Sequence, residues 1–184
     1  MQIVRDREFD EEAFLRIATG YETSELFVAT KIETDGRVEF TLTLKILPSP
    51  SVTRYKHEDS QLAMYAEIAP RPGSRLFWAM DGSEKIGIAF AEVRAWNDTL
   101  WVWELHVAPS RRGQGIGRAL METLFGVCRT EKLRAIVCET QTKNVPAISF
   151  YRALGLSIEG VDTSYYTNTD IEKNDVAIFM KRRF

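Results

Sequence analysis

Cysteine is nearly absent, with Cys128 and Cys138 the two in 184 residues. So few thiols exclude a disulfide scaffold, and since both fall on apolar positions of the elements read below, reduced core thiols are expected. Histidine is as scarce: His57 and His106 stand far apart in the chain, with no cysteine or carboxylate at metal-ligand spacing, so no metal site is expected. No apolar run approaches the roughly 18 residues of a membrane span. The start, Met1 to Glu8, lacks the apolar core and small-residue cleavage site of a signal peptide. A cytoplasmic protein without a membrane partner is expected. Charge of one sign is missing too. With 26 acidic against 24 basic residues there is no field to gather a polyanion, and nucleic acid is not an expected partner. What remains is the composition of an ordinary globular chain, long enough to bury a core as one domain over residues 1–184.

The first half carries a short helix around Glu11 to Ala18 and two strand-like runs, Leu26 to Ile32 and Val38 to Leu47, after which Pro48-Ser49-Pro50-Ser51 breaks the pattern. Leu62, Tyr65 and Ile68 have helical spacing before Pro70-Arg71-Pro72-Gly73. Leu76 to Met80 and Ile86 to Val93 read as a hairpin turning at Asp81-Gly82. Leu100 to Val107 is a further strand that loosens at Pro109. Ile116, Ala119, Leu120, Thr123, Leu124, Val127 and Cys128 then mark one face of a helix. A strand at Ala135 to Cys138, a helix from Val145 to Leu154 ended by Gly155, and a strand from Val176 to Met180 complete an α/β order.

Between the strand end at Val107 and that amphipathic helix lies Arg111-Arg112-Gly113-Gln114-Gly115-Ile116-Gly117. Closely spaced glycines let backbone amides approach a ligand, and a helix start adds unpaired donors and partial positive charge. A pyrophosphate needs both, and the arginines can add charge-assisted hydrogen bonds. A dinucleotide fingerprint counted from Gly113 fails at Arg118, and no Gly-Lys pair exists for a P-loop. The other reading is a tight turn whose glycines merely permit close packing.

The run Glu104-Leu105-His106-Val107-Ala108-Pro109 followed by Arg112 to Gly117 resembles the acetyl-coenzyme A signature of GNAT acetyltransferases. Glu139-Thr140-Gln141, Asn144, Ala147, Phe150-Tyr151 and Gly155-Leu156 match that superfamily's second half. Phe40-Thr41-Leu42, Glu58-Asp59, Val161-Asp162-Thr163, Tyr166, Asn168 and Ala177 to Phe184 resemble the streptothricin acetyltransferases within it.

The resemblance implies a mixed central sheet flanked by helices, in which the parallel strands Leu100 to Val107 and Ala135 to Thr140 splay apart and admit the cofactor's pantetheine arm. It implies acetyl-coenzyme A as co-substrate, held by Leu105, Val107, Arg112, Gly113, Gln114, Gly115, Ile116, Gly117 and Asn144, with the Val107 N–H on the thioester carbonyl. Asn144 has a second reading as a helix cap. Tyr151 stands where the superfamily's tyrosine protonates the departing sulfur; the other reading is a core aromatic. Glu104 is expected to take the amine proton, to attract the ammonium form, or only to pair with an arginine. Glu139 is a weaker candidate of the same kind. A streptothricin-type acceptor implies a β-lysyl amine met by Glu58, Asp59 and Asp162, although Glu58 and Asp59 also read as a solvated loop. A protein or peptide amine is the alternative acceptor, and a non-catalytic coenzyme A-binding module the alternative class. The resemblance also allows a homodimer.

Overall fold

A computed structural model describes residues 1–184. In chain order the elements are β1 Gln2–Asp6, α1 Glu11–Ile17, β2 Gly20–Thr34, β3 Arg37–Arg54, α2 Asp59–Ile68, β4 Ser74–Asp81, β5 Glu84–Arg94, β6 Thr99–Val107, α3 Ile116–Thr130, β7 Ala135–Gln141, α4 Val145–Ala153, β8 Ser157–Asp162 and β9 Ala177–Arg183, with a 3-10 turn at Pro109–Arg111. The strands form a seven-stranded sheet in the order β1-β4-β5-β6-β7-β9-β8 and a two-stranded sheet of β2 and β3. The large sheet is mixed, mostly antiparallel with β6 and β7 parallel, and is the α/β architecture expected. No helix is long and apolar enough to cross a membrane. The chain divides into two compact units: residues 1–20, 54–137 and 183–184 form one, residues 21–53 and 138–182 the other.

In the first unit the hairpin of β4 and β5 pairs Leu76 with Phe90 and Trp78 with Ile88. These four side chains are buried in one cluster with Phe14 and Ile17 of α1 and Leu62, Tyr65 and Ile68 of α2. Each such burial is worth roughly 1.5–3 kcal/mol. Helix α1 starts where the Asp10 carboxylate accepts the Ala13 N–H at 2.9 Å. A hydrogen bond from Lys85 at 2.8 Å holds that carboxyl below its usual range. The hairpin turns at Gly82, where φ is +59°. On the other face of the sheet lies α3, its Leu120, Met121, Leu124 and Phe125 all fully buried as the helical period requires.

The second unit holds the long β2–β3 ribbon, the end of β7, α4, β8 and β9. Thr142, fully buried, joins its parts: its carbonyl accepts the Phe27 N–H at 3.0 Å and its hydroxyl donates to the Asn174 carbonyl at 2.8 Å. The stretch between β8 and β9 is organised by Asp170, whose carboxylate accepts the Tyr166 N–H at 2.9 Å and the Thr167 N–H at 2.8 Å. Desolvation opposes its ionisation, but these bonds and the Thr167 hydroxyl outweigh it and hold the carboxyl below its usual range.

One expectation needs correction. Pro48 and Pro50 do not interrupt β3, which runs on to Arg54. β3 has β2 as its one partner strand, so a missing proline N–H facing the open edge breaks no ladder. Val161 and Asp162 end strand β8, an element not among the expected ones, which pairs with β9 through Asp162 and Ala177. Strand β1, paired with β4 from Gln2 opposite Met80, has no counterpart among the expected elements.

Gly87 sets the distance between β5 and α3. A Cβ there would lie 3.1 Å from the His106 carbonyl oxygen and 3.2 Å from both Ile116 and Leu120 side chains. Gly87→Ala should therefore destabilise the protein by about 1–3 kcal/mol, the usual cost of overpacking. Urea unfolding checks this; an unchanged midpoint would show that α3 yields freely.

Candidate active site

The passage from β6 into α3 is pinned on both sides. The Ala108 N–H donates to the Ile86 carbonyl at 2.9 Å, and the Arg111 guanidinium sits 2.8 Å from the Asp81 carboxylate beside the hairpin turn. Arg112 donates to the Gly20 carbonyl at 2.8 Å and to the Val107 carbonyl at 3.2 Å. Its guanidinium thus fixes the turn to the backbone, whereas a contact with phosphate is the expected role. Gly113 and Gly115 come next with φ of +75° and +80°, and nothing lies within 4 Å of where a Cβ would stand on either. Gly115 is the residue before α3, and its carbonyl accepts the Ala119 N–H at 3.0 Å. No side chain caps this helix start. The amides of Ile116, Gly117 and Arg118 consequently have no acceptor within the helix and stand beside two bare glycines. Ile116 points its own side chain into the core, leaving only its backbone outward. Such a turn suits an anion, and a pyrophosphate in particular.

Glu104 lies on the opposite face of the sheet from α3 because of a β-bulge. The register of β5 with β6 shifts between Phe90 and Ala91, so that Val102 faces Ala91 while Glu104 faces Phe90 and His106 faces Ile88. The extra residue, Trp103, re-aims the rest of the strand. Glu104 and His106, two residues apart, therefore share the face covered by α1 and α2. There the Tyr65 hydroxyl donates to one oxygen of Glu104, and His106 Nε2 lies 2.5 Å from the other. Gln61 donates to the Tyr65 oxygen at 2.8 Å. The side chains of His106 and Glu104 are 14% and 12% exposed. Both histidine rings pack near Phe14, with centroids at 4.7 Å for His57 and 6.0 Å for His106. His57 donates to the Ala18 carbonyl at 2.9 Å. Glu104 is paired with tyrosine and histidine, not with an arginine. Tyr65, His106 and Gln61 are absent from the expected site residues; the Glu-x-His spacing on a strand was the available signal.

Glu58 and Asp59 are exposed at the start of α2, Glu58 preceding the helix without capping it. In the second unit Asn144 caps α4, its side-chain oxygen accepting the Ala147 N–H at 3.2 Å. Tyr151 is buried on the same helix, more so than Phe150 beside it. Asp162 ends β8 and accepts the Ser164 N–H at 3.0 Å. Glu139 accepts the hydroxyl of Tyr166, and desolvation together with that carboxylate holds the Tyr166 hydroxyl above its ordinary range.

A strand that leads through open, uncapped glycines into an amphipathic helix is an arrangement suited to an anionic ligand at the helix start. The chain belongs to the acetyltransferase (GNAT) family, whose pattern matches residues 42–156. It is 34% identical over 108 residues to the streptothricin acetyltransferase of Streptomyces lavendulae, covering 58% of this chain and 57% of that protein. The matched segment spans about half the length of the curated relatives. The crystal structure of nourseothricin acetyltransferase superposes with a TM-score of 0.80 at 26% identity, over 99% of this chain and 97% of that one. A Bacillus anthracis structure in complex with acetyl coenzyme A superposes with a TM-score of 0.75 at 20% identity, over 100% and 98%.

Tyr65→Phe keeps the ring contacts but removes a hydrogen bond to a carboxylate that is largely out of water. Unfolding free energy should fall by about 1.5–3 kcal/mol. Denaturant titration reads this directly, and equal stability would mean that solvent replaces the tyrosine at no cost.

Proposed function

We propose that the protein transfers the acetyl group of acetyl-coenzyme A to a primary amine of a small cationic molecule, the β-lysyl amine of a streptothricin being the acceptor favoured. The observation that carries this reading is the uncapped start of α3 behind Gly113 and Gly115, a donor array open to a pyrophosphate. Support for the acceptor comes from the relatives named for streptothricin and nourseothricin acetylation. Residues 1–184 work as one domain in this proposal, and the reaction is placed in the cytoplasm.

The amides of Gly113 to Gly117 and the Gln114 side chain hold the pyrophosphate, and Arg112 keeps the turn in place. Leu105 and Val107 bond the pantetheine arm through their backbone, with Asn144 as a further partner, and the Val107 N–H polarises the thioester carbonyl. Glu104 meets the acceptor's ammonium and removes its proton. The free amine attacks the carbonyl carbon, the carbon–sulfur bond breaks, and Tyr151 gives the sulfur its proton. A tyrosine is protonated at neutral pH, with an ordinary pKa near 10, and can serve as the acid. Asp162, with Glu58 and Asp59, attracts the rest of the polycation.

Purified protein with acetyl-coenzyme A should acetylate streptothricin, with thiol release as the readout and mass spectrometry placing the product on the β-lysyl amine. Tyr151→Phe should retain cofactor affinity while turnover falls on the order of 10²-fold. Acetylation of polyamines or peptides in place of streptothricin would remove the acceptor and leave the reaction class standing. Full turnover by the phenylalanine variant would assign Tyr151 to packing.

A further inference from the structure

The β-bulge that turns Glu104 toward α1 and α2 also gathers tryptophan on that face. Trp101 stands opposite Glu92 in the ladder, and Glu92 shares its side of β5 with Ile88, Phe90 and Arg94. The extra residue, Trp103, packs against the same apolar cluster. The two indole rings lie 6.3 Å apart in an edge-on contact, and the Trp103 N–H donates to the Glu92 carboxylate at 3.3 Å. Trp103 reaches the Tyr65 ring in turn, with centroids 6.4 Å apart, and the Tyr65 hydroxyl donates to Glu104. An aromatic row with a carboxylate at each end therefore runs along β6.

That row already holds a cation. The Arg94 guanidinium lies 5.9 Å from the Trp101 ring centroid and 5.0 Å from that of Trp103, inside the reach of about 6 Å over which a π face attracts positive charge. Glu92 completes the surround, its Oε2 standing 3.4 Å from one guanidinium nitrogen. The Glu92 side chain is mostly out of water at 16% exposed, whereas that of Arg94 is 35% exposed. The hold on Arg94 is loose. Its contact with Glu92 is longer than the ~2.8 Å of a charge-assisted hydrogen bond, and Arg94 is the last residue of β5. Two π faces and one carboxylate recognise positive charge without demanding the fork of an arginine, so another cation can take the same place.

We propose that Trp101, Trp103 and Glu92 form a subsite for a second positive charge of the acceptor, an ammonium or guanidinium group, and that the Arg94 guanidinium occupies it until the acceptor displaces it. From Glu104 to Trp101 is three residues of strand, at most about 10 Å at ~3.3 Å each. An acceptor whose two cationic groups span that length meets both carboxylates at once, with its reacting amine at Glu104. A monoamine gains nothing from the far end, so the subsite selects polycations over simple amines. The inference rests on the reading of a cationic acceptor and deepens it by naming what holds the second charge.

Titration of the full chain with streptothricin, followed by tryptophan fluorescence, tests this without needing turnover. Arg94→Gln leaves the rings and Glu92 in place and removes their internal cation, so it should tighten binding by about threefold or more. Glu92→Gln still accepts the Trp103 N–H but loses the charge; it should weaken binding by about tenfold, as should Trp101→Leu. Acetyl-coenzyme A should bind all four proteins alike, and circular dichroism confirms that each is folded. Side chains that merely pack together would leave affinity unmoved, whereas this subsite shifts the Arg94 and Glu92 variants in opposite directions. No binding by wild type, looser or unchanged binding by Arg94→Gln, or wild-type affinity in both Glu92→Gln and Trp101→Leu would overturn the subsite. Acetylation of streptothricin alongside such a result would leave the proposed reaction standing. The expected pattern of affinities without acetyl transfer would uphold the subsite and remove the reaction.

Discussion

The backbone between β6 and α3 is the constraint on which the rest of the cofactor turn depends. The chain must leave an interior strand of the sheet, close a short turn and begin a helix whose apolar face is already committed to the core through Ile116, Leu120 and Leu124. Two residues with positive φ, Gly113 and Gly115, make that passage. Any side chain able to cap α3 would have to sit where a bare glycine sits. The same feature that lets the helix start so close to the strand therefore leaves its first amides unpaired, facing solvent. Gly87 behind the helix and Arg112 beside the turn hold the arrangement from two directions. The donor array is a consequence of packing as much as of the loop itself.

A second local irregularity determines which side chains face α1 and α2 on the other side of the sheet. Without the bulge at Trp103, the alternation of β6 would put Val102 and Glu104 on one face. With it, Val102 stays on the face of Ala91 while Glu104 and His106 turn toward α1 and α2, where Tyr65 meets Glu104. A carboxylate so placed keeps one oxygen for a tyrosine and one for a histidine, and is largely removed from water.

These two features differ in how far the residues alone disclose them. Helix α3 and its turn are legible because the signals are local: apolar residues at helical spacing, and glycines where a strand ends. The β4–β5 hairpin is legible for the same reason, with Gly82 at its turn. The Tyr65–Glu104–His106 group is not, since it joins side chains from distant parts of the chain and requires a bulge that no propensity marks. Strand β3 was obscured by Pro48 and Pro50, which read as a break but are tolerated on an open edge. Strand β8 was obscured by its short, polar sequence, whose pairing is supplied by β9. Asp170, which organises the connection before β9, carries no sign of its role beyond being an aspartate near Thr167.

That the start of α3 receives a pyrophosphate is best tested by isothermal titration with acetyl-coenzyme A and with S-acetylpantetheine, which shares the thioester arm and lacks the pyrophosphate. Wild type should bind acetyl-coenzyme A more tightly by at least about tenfold, or ~1.4 kcal/mol. Gly115→Val, folded by circular dichroism, should lose that difference and treat the two compounds alike. A valine variant that still prefers acetyl-coenzyme A as strongly as wild type would contradict the account.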